Sequence, residues 1–206
     1  MIVTDFTVDP GSVRQDQGIG PRLQRSLGGG SAGAARGALA TEVQSAIADT
    51  LVEALGKAGL PAEHAPADAQ IRPGDVIVTG RVLRIDEGNR TRRMSVGFGA
   101  GKSIVEAKAE LYAAVPDGPP VLLQSYDGSA DSGRRPGLAV GAGMAVANSS
   151  AATGALSAVM NVSGERNRTP VGREAASLGN RLATEIGGYA ADQGWIAASA
   201  VPPRTR

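Results

Sequence analysis

The chain of 206 residues carries 21 basic and 20 acidic side chains, a balance that excludes strong electrostatic attraction to nucleic acid or to an anionic membrane surface. It has no cysteine, so disulfides, thiol nucleophiles and thiolate zinc sites are excluded. Hydrophobic residues make up 42% and aromatics only 3%, so a core must be built from Val, Ile, Leu and Ala, and the length suits one domain over residues 1–200.

The chain opens on MIVTDFTV, where Ile2, Thr4, Phe6 and Val8 alternate with Val3, Asp5 and Thr7. That period of two predicts a strand over residues 2–8. No basic segment followed by an apolar run marks a secretory leader here, and the abrupt start leads us to expect that an upstream segment was removed or lies outside the sequence. Residues 9–36 are rich in Gly, Ser, Gln and Arg and predict a long, mobile loop.

Over residues 38–58, Leu39, Val43, Ile47, Leu51 and Leu55 recur every fourth position, with Glu42, Gln44, Asp49, Glu53 and Lys57 on the other side. This predicts an amphipathic helix closed by Gly59 and Pro61. His64 follows in a Pro/Ala stretch and reads as a surface residue. Residues 75–86, DVIVTGRVLRID, predict a long strand with Gly80 as a bulge, and 88–93 a charged turn.

From 103 to 115, Val105, Ala107, Ala109, Leu111 and Ala113 alternate with Glu106, Lys108 and Glu110. The composition is also that of a good helix, but the alternation and the PDGPP turn at 116–120 favour a hairpin with a second strand at 121–131. Residues 136–164 contain no charge. Gly137, Gly141 and Ala145 begin a row of small side chains at every fourth position, which suits close backbone approach. Three readings stay open for the 136–165 segment: a small-residue helix or hairpin packed on the domain, a subunit interface, or a flexible loop. Its Gly, Ser and Thr content and the central Asn148 argue against autonomous membrane insertion.

Residues 170–191 predict a second amphipathic helix, with Thr169 as N-cap, Pro170 at its first position, and Val171, Ala175, Leu178, Leu182, Ile186 and Tyr189 along one stripe. Residues 201–206 read as a disordered tail. The order of elements predicts an α+β fold: a mostly antiparallel sheet of four or five strands with two helices on one face.

Two motifs suggest chemistry. GFGAGKS, residues 97–103, resembles a phosphate-binding loop around Lys102, but such a loop needs a glycine where Val96 stands, and it must open a helix. GGSAG, residues 29–33, places Ser31 in a nucleophile-elbow pattern, yet no strand is predicted before it and His64 is the only histidine. With one histidine and no cysteine, a zinc site would depend on carboxylates. Neither a cofactor nor a metal is expected, and the arginines at 90, 92 and 93 read as loop charges rather than a nucleic-acid surface.

The run VTGRVLRIDEGNRTRRMSVGFGAGKSIVEAKAELYAA, residues 78–114, resembles a signature of the bacterial domain-of-unknown-function family 4410. The IVTDFTVDP start and the Gly/Ala-rich stretch after the hairpin are similar to that family as well. More distantly, the element order is similar to the amino-terminal domain of the Tol translocation protein and to curli-secretion-type lipoproteins. The resemblance implies a secreted or lipoprotein-like component of the bacterial cell envelope, in the periplasm or on the inner face of the outer membrane, with no known enzymatic activity and no catalytic residue to carry over. Membrane attachment would run only through a leader or lipid-bearing cysteine outside this sequence.

The expectation is a non-enzymatic module that binds a protein partner or itself, with a recognition surface formed by Arg90, Arg92, Arg93, Gly97, Phe98, Gly99, Gly101, Gly137, Gly141 and Ala145. The alternative is an enzyme using the Gly-rich loop at 97–103 or Ser31.

Overall fold

The computed structural model describes residues 1–16, 31–66, 69–88, 102–132, 134–141 and 169–200, and within β8 only the backbone. Among the described residues eight strands form one sheet: β1 (Ile2–Thr4), β2 (Thr7–Val8), β3 (Val13–Arg14), β4 (Glu63–Ala65), β5 (Val76–Asp86), β6 (Ile104–Ala113), β7 (Val121–Asp131) and β8 (Arg134–Gly141). Two helices, α1 (Ala32–Lys57) and α2 (Pro170–Asp192), cover one face. The α+β class is as expected.

The sheet is mixed rather than mostly antiparallel, with the order β4-β1-β5-β6-β7-β8 and β2 and β3 also paired to β5. β1 pairs in parallel with both β4 and β5. The predicted strand at 2–8 is broken in two, and with β3 it forms one irregular track along β5. Ile2 faces Ile77, Thr7 faces Arg81 and Val13 faces Ile85, so the track takes five residues and then six to advance four on β5. The second excess is absorbed by a 3-10 turn at Pro10–Ser12, whose start Asp9 caps by accepting from Gly11 N. Because α1 lies between β1 and the parallel β4 and β5, this half is a β-α-β crossover, and β5 to β8 then run as an antiparallel meander.

α1 begins at Ala32, six residues before the predicted start at 38, so the predicted loop at 9–36 contains β3 and the first turn and a half of the helix. Ser31 is its N-cap and accepts from Ala34 N at 3.1 Å. Every residue of the expected repeat, Leu39, Val43, Ile47, Leu51 and Leu55, is buried. α2 buries Val171, Ala175, Leu178, Leu182 and Ile186, with Thr169 capping Gly172 N as read from the sequence. These stripes meet Val78, Val82, Ile85, Val105, Ala107, Ala109 and Leu111 of the sheet in one aliphatic core, together with Phe6 and Tyr126.

Two glycines permit the tight layers. A Cβ on Gly80 would stand 2.2 Å from Phe6 Cε1 and 2.7 Å from Lys108 O, so Gly80 gives room to an aromatic ring and is not the predicted bulge. The irregularity of β5 falls instead between Val82 and Arg84, where Leu83 is left without a partner and 49% exposed. A Cβ on Gly179 would stand 2.8 Å from Ile47 O, so α1 and α2 touch backbone to backbone there.

The hairpin of β6 and β7 forms as predicted, and the helical alternative for 103–115 does not. Residues 134–141, including Gly137 and Gly141, run as a strand antiparallel to β7, so a helix starting at Gly137 is ruled out. Ala145 and the rest of the uncharged stretch lie outside the described residues, as does the 201–206 tail.

Candidate functional site

The helices run side by side in the same direction. Glu42 on α1 holds Thr169 at the start of α2, Ile47 lies against Gly179, and Gly59 beyond α1 approaches Ile196 beyond α2. Gln44 donates to Phe6 O, while Pro61 O accepts from the Met1 amino group, so α1 points opposite to β1. Both helix N-termini therefore lie at the sheet end where β3 and β5 finish and β6 begins.

The 17–30 and 89–101 connections leave from this end and the chain re-enters the described fold here at 102 and 169, whereas the 142–168 connection leaves from Gly141, part-way along β7. Asp16 N donates to Glu87 Oε2 at 2.8 Å, and Glu87 N donates to Arg14 O at 3.0 Å, which ties the exit of β3 to the exit of β5. Gly88 turns away with φ of 70°, a conformation glycine adopts freely, and its N–H is held by Asp86 Oδ1 at 2.9 Å. Lys102 forms an ion pair with Asp131 at 3.6 Å. Ser103 and Ser132 clasp the same corner: Ser103 N donates to Ser132 Oγ at 3.0 Å and Ser132 N to Ser103 O at 3.1 Å. On the helix side, Glu42 Oε1 accepts from Thr169 N at 3.0 Å and Thr169 Oγ1 at 2.8 Å. Thus the points where the chain leaves toward 17–30 and 89–101, and returns at 102 and 169, are pinned.

Half-buried Glu174 on α2 adds to this corner. Burial, and then the negative charge of Asp131, push its carboxyl above the ordinary 4.5, against an opposing pull from Arg173.

The sheet face away from the helices is charged. Lys108 Nζ pairs with Glu110 Oε1 at 2.9 Å and the Tyr112 hydroxyl donates to Oε2 at 2.9 Å. These two bonds, Lys108 first, hold Glu110 below 4.5, and reciprocally raise Lys108 and Tyr112. Arg84 reaches Asp86 at 3.1 Å and Glu106 across the strands at 3.8 Å. The face becomes apolar toward the 114–120 turn, where Ile2, Ile77, Tyr112 and Leu122 stand in register across four strands.

Of the sequence-predicted recognition residues, only Gly137 and Gly141 are described. They sit on β8 opposite Ser129 and Ser125, with Gly141 part-way along β7 rather than at the corner. Arg90, Arg92, Arg93, Gly97, Phe98, Gly99, Gly101 and Ala145 lie outside the described residues.

The family model of the domain of unknown function DUF4410 matches residues 1–149. The chain belongs to this family. The DUF4410 match covers β1 through β8 and α1 but stops before α2, the helix that completes the core of this chain. No curated protein and no solved structure matches the chain.

Within this DUF4410 chain, the described residues of the two motifs that suggest chemistry are Lys102 and Ser103 of one and Ser31 to Gly33 of the other. Lys102 and Ser103 run directly into β6, so the residues that follow the glycines lead into a strand and do not open a helix. The Ser103 hydroxyl is fully buried, without a hydrogen-bond partner among the described residues. Ser31 spends its oxygen on capping α1, whereas His64 lies on β4 beyond the far end of that 26-residue helix, which is about 39 Å long at 1.5 Å per residue. His64 Nε2 instead contacts Asp5 Oδ1 at 2.8 Å on the surface. β4 went unread in the sequence, because Glu-His-Ala carries no alternation.

Among the described residues no group of three or more His, Cys, Asp or Glu could hold a metal ion. Among them, too, no helix is long and apolar enough to cross a membrane.

Proposed function

We propose that this chain is a non-enzymatic cell-envelope module that works through protein contacts, as a binding or assembly unit able to associate with itself. The supporting observation is the pinned corner. The Asp16–Glu87, Lys102–Asp131 and Glu42–Thr169 contacts fix where the 17–30, 89–101 and 142–168 segments depart from or rejoin the fold. A rigid scaffold from which long connections depart is the general arrangement of recognition surfaces. The glycines at 97, 99 and 101 and the charge-free run from 136 to 164 suit close main-chain approach by a partner. An envelope location, periplasmic or on the inner face of the outer membrane, rests on the family resemblance, and membrane attachment would come from a leader or lipid anchor outside this sequence.

The test is light scattering of the purified chain, alone and with cross-linking in a cell-envelope extract. Gly99→Val and Gly141→Leu are expected to impair folding or association. Both variants remaining folded with the native mass and the native cross-links would overturn the reading. Titration with ATP and magnesium, and labelling with a serine-directed phosphonate, address the enzyme alternative: binding, or an adduct at Ser31, would replace the module with a catalyst.

A further inference from the structure

We draw no further inference here: the strongest candidate, the open sheet face where Tyr112 and Leu122 adjoin the Lys108–Glu110 and Arg84–Glu106 ion pairs, carries charges of both signs that already neutralise one another, and nothing in the structure shows what covers it.

Discussion

The ring of Phe6 lies over Gly80, filling the space a side chain on β5 would occupy: a Cβ there would come within 2.4 Å of two ring carbons. Phe6 is fully buried and stands where the irregular track breaks between β1 and β2, so it has no free direction in which to retreat. Gly80→Ala is expected to destabilise the fold by about 1–3 kcal/mol through overpacking. Phe6→Leu in the same background should recover part of that loss, and a double-mutant cycle by urea denaturation measures the coupling. Additive effects would show that the ring and the glycine are not in contact.

Glycines on the helices divide by sign. Gly179→Ala gains about 1 kcal/mol in helix propensity, but its Cβ would meet the Ile47 carbonyl oxygen at 2.8 Å and Thr50 Cβ at 3.2 Å. A backbone atom of a packed helix cannot move aside cheaply, so the clash wins and the variant loses stability. Gly37→Ala on α1 meets nothing within 4 Å, and is expected to stabilise by about 0.5–1 kcal/mol. Thermal unfolding of the two variants should shift in opposite directions.

The two helices were legible because each repeats apolar residues on one stripe, and the structure buries Leu39 through Leu55 and Val171 through Ile186 as that stripe requires. The start of α1 was not, because Ala-Gly-Ala-Ala-Arg-Gly has no apolar period; Ser31 capping is its only local signal. Parallel pairing of β1 with β4 and β5 was hidden for another reason. Alternation tells which face a residue takes but not which strand lies beside it, and β4 is too short to alternate at all. Gly80 shows the same limit, since its meaning depends on Phe6, far away in sequence.

At the candidate site, Glu106, Lys108 and Glu110 could be read as one polar face. Their partners could not: Arg84 reaches Glu106 only in the register that the β5 irregularity sets. The corner contacts join residues as distant as Glu42 and Thr169, which no spacing rule connects.

Thr169 both caps α2 and anchors it to α1. Thr169→Ala removes the acceptor for Gly172 N and is expected to cost about 1 kcal/mol, whereas Thr169→Ser should keep most of the stability. Glu42→Ala removes the shared acceptor of the Thr169 N–H and hydroxyl. Because the two residues form one network, Glu42→Ala combined with Thr169→Ala should cost less than the sum of the single changes. Equal sums in chemical denaturation would mean that Glu42 contributes nothing to the cap.

Glu174 should impose a pH dependence of a definite sign. Burial, then the Asp131 charge, raise its folded-state pKa above the unfolded value near 4.5, so between the two values the native chain binds more protons than the unfolded one. Stability from this group is therefore complete below about pH 4.5 and falls as pH rises through the raised value. Glu174→Gln removes the charge while keeping the shape, so the variant should be more stable than the parent at neutral pH, with the difference vanishing as pH falls toward 4. Denaturation midpoints across pH 4–8 measure this difference. A variant that is less stable at pH 7 would show that the ionised carboxylate is favoured in the fold, by Arg173 or another cation, and that burial does not dominate.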